Sequence, residues 1–304
     1  MTKKISIALG GGGTKGFAHI GVIKEILNQG YGISAIAGTS AGGIVGALFA
    51  CGYEVEEIES FARDLDYGKL FSINISEPPS LLSLGGLFSI LKNYIGDRTF
   101  DSLRLPFAVS TVDNNSGEEF VVNQGSVLNA LKATTAVSGV FPPYLHDGKA
   151  LVDGGVLNPV PVDIARWLNE NVPVIAVSLS APREEWSKLP KYQIPNYLPI
   201  PEFVSNQIGH LRISKAAQNF TDSLELMMNM IAWMRLKEDK PDILITPEVF
   251  YQTMYEKVDV NEMMEKGIAA VQAALPQFDK AFDISRRAVR WIKASKSPGK
   301  CISL

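Results

Sequence analysis

The chain has 304 residues, with 29 basic and 32 acidic side chains, a formal charge of −3, 46% hydrophobic and 20% charged residues. Those proportions exclude a disordered, collagen-like or coiled-coil chain, and a near-neutral charge supplies no electrostatic footprint for nucleic acid. Cys51 and Cys301 are the only cysteines; they cannot build a disulfide framework and point to a reducing compartment, the cytoplasm.

Residues 4–9 form a short β-favouring run that stops at the glycines 10–13, so a strand followed by a loop is expected. The run is too short for the apolar core of a secretion signal. Phe17, Ile20, Val22, Ile23, Ile26 and Leu27 recur at helical spacing. Residues 33–37 read as a second strand and 42–51 as a helix. The uncharged stretch 26–53 is long enough to span a bilayer, but its central glycine-rich turn divides it into strand and helix. Strands are expected at 105–111, 118–122, 150–152, 172–179 and 243–246, and helices at 126–135, 162–169 and 258–275. Ser126 is placed to cap the first of these. Strand and helix alternate as in an α/β layered domain over residues 1–280. Two segments, 54–100 and 183–240, lack that alternation and read as irregular inserts.

Residues 281–304 are a different region. Arg286, Arg287, Arg290, Lys293, Lys296 and Lys300 face Asp283 alone, with Ile284, Ala288, Trp291 and Ile292 near one face of a helix over 284–297. A basic amphipathic tail implies an anionic membrane surface as partner, with the protein peripheral to it; docking on the acidic body is the competing expectation. Cys301 stands four from the end as in a prenylation signal, but Ser303 is a poor match for that pattern.

Two glycine-bearing turns carry the chemistry. Gly38, Thr39, Ser40, Ala41 and Gly42 fit G-x-S-x-G between a strand and a helix. Small residues on both sides of Ser40 allow a sharp turn that projects its hydroxyl, and the helix beginning there directs N–H groups at negative charge. Gly11, Gly12, Gly13, Thr14, Lys15 and Gly16 occupy another strand-to-helix turn, where bare amides suit a phosphate or a developing oxyanion. A dinucleotide site would need an acid near residues 35–38, and none is there; a Walker loop would need Ser or Thr after Lys15, and Gly16 follows it. The oxyanion-hole reading survives.

A serine nucleophile needs a base. His19, His146 and His210 are the only histidines. His19 reads as local packing, and His146 sits before a turn at Asp147-Gly148. His210 alone follows the candidate acids, inside an insert. Asp153 is the alternative: an apolar strand carries it, Gly154 and Gly155 follow, and burial would raise its pKa.

These blocks, in this order, resemble the patatin-like phospholipase family. Residues 11–16 with 17–22 are similar to its glycine-rich oxyanion loop, Lys15 standing where Arg is commoner. Residues 38–42 match its nucleophile elbow, and 153–155 with 156–161 its Asp-Gly-Gly block. Residues 133–143 are similar to the segment preceding it, with Thr134 for the usual Ser and Ser138 for the usual Pro. The likeness runs from 5 to 165 and weakly on towards 275.

The resemblance implies a three-layer fold, a central mostly parallel sheet flanked by helices. It also implies a Ser40–Asp153 dyad in place of a triad. Ser40 is the nucleophile, Asp153 the base, and Gly11, Gly12 and Gly13 the oxyanion hole. Lys15, Gly16, Gly38, Gly42, Gly154 and Gly155 support them. No metal or organic cofactor is implied. The substrate would be a lipid acyl ester, its chain held against 81–91 or the helix bearing Leu224, Met227, Met228, Ile231 and Met234. That helix is expected to turn its methionines to the core, and 81–91 to form a movable cover loosened by Gly85-Gly86. An acyltransferase on the same dyad and a catalytically silent regulator are the alternatives. The oligomeric state is left open.

Overall fold

A computed structural model describes residues 2–65, 84–189, 207–283 and 298–304, and the side chains of 207–221 fall outside that description. The expected helix at 284–297, Pro78, Pro79, the start of the 81–91 segment and the His210 side chain therefore lie outside the described residues.

The elements in chain order are β1 (Lys4–Leu9), α1 (Ala18–Asn28), β2 (Gly32–Gly38), α2 (Ala41–Ala50), α3 (Val55–Arg63), α4 (Gly85–Ile95), β3 (Phe107–Asp113), β4 (Glu119–Gln124) and α5 (Val127–Thr134). There follow β5 (Tyr144–His146), β6 (Lys149–Asp153), α6 (Val162–Leu168), β7 (Val174–Val177), α7 (Gln207–Asp239), β8 (Ile243–Ile245), α8 (Val260–Ala281) and β9 (Lys300–Ser303). The fold is mixed α/β, a central mostly parallel sheet flanked by helices. β2, β1, β7 and β8 lie side by side and parallel, and β2 continues parallel into β3. β4 and the β5–β6 hairpin add antiparallel pairing on β3.

Strand composition explains the layering. β1 shows one exposed residue and five buried, β3 is buried throughout and β7 likewise. Strands covered on both faces read as continuous apolar runs, and helices must supply both covers. One cover is α1, α2, α3 and α8, packed with Ile5, Ile7, Leu9 and Ile36 in the main core. The other is α6, whose Val162, Ile164 and Ala165 meet Ala8, Ala37, Ala108 and Ala176. Small alanines on that face let α6 approach closely.

Local signals held where they had a physical basis. The Ser126 hydroxyl accepts the Asn129 N–H at 3.3 Å, capping α5. Asp147 and Gly148 both have positive φ, 45° and 75°, joining β5 to β6 as two-residue hairpin turns demand.

Several expectations are corrected. The first insert is helical where described, with α3 and α4, and the second holds a 3-10 turn (Arg183–Lys188) before the helix expected in its later part, the 33-residue α7. Over the described residues 84–91, Gly85 and Gly86 do not loosen the chain; they open α4, whose Leu87, Leu91 and Ile95 are buried. The α7 methionines do not all face inward: Met227 and Met234 are 53% and 57% exposed. α8 runs beyond 275, through Pro276 to Ala281. The end of the chain is not all tail, since β9 pairs in parallel with β4 and Leu304 is buried.

Candidate active site

The sheet brings two distant residues together by a head-on meeting of strands. β4 runs along one side of β3, opposite Val109 to Val112. On the other side, β2 pairs with the first half of β3, Gly38 opposite Val109. β6 takes over that same side from the opposite direction, Asp153 opposite Thr111. The C-terminal ends of β2 and β6 thus face each other across two residues of β3, roughly 7 Å of strand. Ser40 follows one end and Asp153 closes the other.

Ser40 sits at φ 53° and ψ −121°, a conformation that costs a residue with a Cβ of order 1–3 kcal/mol. The turn is held from several sides. The Ser40 N–H donates to Thr134 Oγ1 at 3.1 Å, and that hydroxyl donates to the Ser110 carbonyl at 2.7 Å. Thr39 Oγ1 donates to the Asn158 carbonyl at 2.9 Å. Gly42 is required by contact: a Cβ there would lie 2.1 Å from the Leu9 carbonyl oxygen. α2 can therefore start directly over the end of β1. Gly38 crosses Gly43 of the same helix, and Gly16 packs against Ala41.

Asp153 is 3% exposed. Burial pushes its carboxyl up to about 6, opposed by the Ser40 side-chain hydrogen bond and by the Gly155 N–H, which donates to Oδ1 at 2.7 Å. Desolvation outweighs both donors. The group is thus largely ionised near pH 7 yet close enough to neutrality to carry a proton. Gly154 lies flat on the Ser110 backbone, so β6 can end against β3.

The glycine loop runs beside Ser40, with the α-carbon of Gly11 facing the serine β-carbon. Its amides are not equivalent. Gly11 N–H donates to the Pro159 carbonyl at 2.9 Å, which corrects the expectation that all three glycines offer donors. Among the described residues, no acceptor meets the amides of Gly12 and Gly13. Gly13 has φ 59°, and a Cβ there would strike Met254, whose carbonyl accepts the Thr14 N–H. His19, expected to pack locally, donates from Nε2 to the Gly10 carbonyl at 2.7 Å; complete burial holds its pKa near 4, so it stays neutral and anchors the loop. Lys15 is buried and pairs with Glu225 of α7 at 3.0 Å. His146 lies in the β5–β6 hairpin beside Asp147, away from Ser40.

A pocket opens from Ser40. It is walled by Phe17 and Ile20 of the first turn and helix, Ile44 and Val45 of α2, and Ile58, Phe61 and Ala62 of α3, with Leu87, Phe141 and Met254. The lining is almost wholly hydrocarbon. The first insert thus builds one wall, while Met227 and Met234 have no part in it.

α7 is tied down on the far side. Arg235 bridges Asp163 at 3.0 Å, Glu119 at 3.6 Å and Asp239 at 3.6 Å. Asn158 Nδ2 donates to Glu119 and Asp163 at 2.8 and 2.9 Å, and Ser110 Oγ donates to Glu119 at 2.9 Å. Ser110 and Asn158 are the residues whose carbonyls hold the Ser40 turn, so α7 is linked to the elbow through three successive hydrogen bonds, Arg235 to Asp163, Asp163 to Asn158 and Asn158 to Thr39. Thr134 stood out in the sequence only as a departure from a familiar pattern; Ser110, Glu119 and Arg235 carried no signal, because their partners lie far off in the chain.

Comparison with known proteins agrees with the geometry. The family model described as patatin-like phospholipase matches residues 7–166. The chain belongs to that family. An uncharacterized NTE family protein of Mycobacterium bovis is 32% identical over 180 residues, covering 58% of this chain and 49% of that protein. The patatin-like phospholipase domain-containing protein 7 of Rattus norvegicus is 32% identical over 184 residues, 58% of this chain and 14% of that protein. The chain thus spans about half the length of the mycobacterial relative and far less of the rat one. The crystal structure of VipD from Legionella pneumophila superposes with a TM-score of 0.54 at 13% identity over 92% of this chain and 67% of that one, a likeness of fold.

Proposed function

We propose that the chain is a serine acyl hydrolase that cleaves lipid acyl esters, of phospholipase A or lysophospholipase type. The observation that carries this reading is the hydrogen-bonded Ser40 and buried Asp153 at the mouth of an apolar pocket. Asp153 accepts the Ser40 proton as Oγ attacks the ester carbonyl. The oxyanion that forms takes hydrogen bonds from the Gly12 and Gly13 amides and faces the start of α2. One such donor typically contributes about 2.7–4 kcal/mol. The intermediate collapses, Asp153 returns its proton to the departing alcohol, and an acyl-Ser40 ester remains. Water then loses a proton to Asp153 and attacks the acyl carbon; as the second intermediate collapses, Asp153 returns that proton to the departing Ser40 Oγ and the acid is freed. The acyl chain occupies the hydrocarbon pocket between α2, α3 and α4.

The test uses wild type, Ser40→Ala, Asp153→Asn and His210→Ala on a chromogenic ester and on phospholipid vesicles, with fluorophosphonate labelling. Turnover should fall at least a thousandfold in the first two variants, and the label should be lost in Ser40→Ala. His210→Ala should keep most activity. If it is as inactive as Ser40→Ala, the dyad gives way to a triad. Inclusion of an alcohol or thiol acceptor reveals any acyl transfer in place of hydrolysis.

A further inference from the structure

A second cavity, of about 270 Å³, lies between α7 and the C-terminal ends of β7 and β8. Its chemistry is opposite to that of the acyl pocket. Ser178 follows β7 and Thr246 follows β8, beyond the edge where parallel sheets bind ligands. Ser180 adds a third hydroxyl, and Asn229 of α7 an amide. Asn229 is only 5% exposed, and among the described residues no group hydrogen-bonds its side chain. Asn229 lines the cavity, so its amide offers an occupant both a donor and an acceptor.

Two cations complete the lining. Arg183 lies over the Trp233 ring at 4.8 Å and Lys237 over the same ring at 3.9 Å. Among the described residues, neither reaches a carboxylate. Glu184 is the single acid on the rim, and it is exposed. The indole holds both positive groups in place without neutralising them. Hydroxyls, an amide, an ammonium and a forked guanidinium around one space match a tetrahedral oxyanion.

We propose that this cavity binds a phosphoryl group. Leu179, between Ser178 and Ser180, packs directly on Gly12, so an occupant would abut the oxyanion loop from behind. The group could arrive as a free phosphate or as the phosphodiester of a lipid head group. The site is separate from the hydrolytic reading, since none of its polar lining residues takes part in that chemistry.

The experiment measures binding on the full chain carrying Ser40→Ala, by titration calorimetry at low ionic strength. The probes are inorganic phosphate and glycerophosphocholine. One-to-one saturable binding of either probe is expected. Tighter binding of the diester identifies the head group as the source, and tighter binding of phosphate the free anion; both sustain the proposal. The double variant Arg183→Gln/Lys237→Gln should weaken binding at least tenfold. Asn229→Asp, equal in size, should do the same while leaving the thermal midpoint within a few degrees. Failure of both probes to bind, or binding unchanged in these folded variants, would overturn it. Because turnover is not read, inactivity of Ser40 would leave the result intact.

Discussion

An ionised carboxylate buried as deeply as Asp153 is disfavoured by desolvation, and the fold tolerates it beside Ser40. Its carboxyl titrates near 6, against an ordinary 3.8. The native state therefore holds this proton more tightly than the unfolded chain, and the stability it contributes below pH 4 is lost as pH rises through 6. The difference is about 3 kcal/mol at pH 8. Two results should follow. In wild type, kcat/KM on a soluble ester should climb with pH and reach half its plateau near pH 6. Asp153→Asn should be inactive yet melt several degrees higher than wild type at pH 8, an advantage that shrinks towards pH 4. A melting curve unaffected by pH between 4 and 8 in both proteins would contradict the burial argument.

At the scale of elements, α7 and α3 have separate tasks. Arg235 of α7 compensates three carboxylates, of which Asp239 titrates near 6 and Glu119 above its usual range, both chiefly through burial. Arg235→Met would leave those acids facing one another. We expect a loss of about 2 kcal/mol at pH 8, the partial exposure of the side chain keeping it below the figure for a fully buried pair. Denaturant titration should show the loss narrowing at pH 5, where Asp239 takes up a proton. α3 supplies a wall of the apolar pocket beside Ser40 through Ile58, Phe61 and Ala62. Ala62→Phe puts a ring into that space. Its kcat/KM for a long-chain ester should drop at least tenfold, while a butyryl ester is cleaved within about threefold of wild type. An equal loss on both esters would place the acyl chain elsewhere.

Across the whole molecule, the last residues matter for the sheet. β9 pairs with β4 from Phe120 to Gln124, the Ser126 N–H donates to the Leu304 carbonyl, and Leu304 is 9% exposed. Removing residues 300–304 would uncover the β4 edge, with Val121 and Val122 upon it. Burial of one leucine contributes about 1.5–3 kcal/mol, and lost ladder bonds add to that. The truncated chain should melt lower and aggregate with rising concentration, as exposed edges do. Its activity on a soluble ester at 20 °C should match wild type, because β9 borders no part of the candidate site.

What could be read from the sequence was what is local. The apolar runs at 4–9 and 33–37 fix β1 and β2, because a strand covered on both faces must be hydrophobic throughout. The small residues at 38, 42, 154 and 155 announce close backbone contacts, and a buried Asp after an apolar strand announces a perturbed acid. What no stretch of sequence contained was the meeting of β2 and β6 on one side of β3, which sets Ser40 beside Asp153 over 112 intervening positions. Nor could the loop declare that Gly11 gives its amide to Pro159 while Gly12 and Gly13 keep theirs. The carboxylate cluster around Arg235 and the cations held on Trp233 were equally hidden, since each joins residues from elements far apart in the chain. Periodicity and turn chemistry act over a few residues, whereas strand order, desolvation and charge compensation arise only once the sheet has closed and the helices lie upon it.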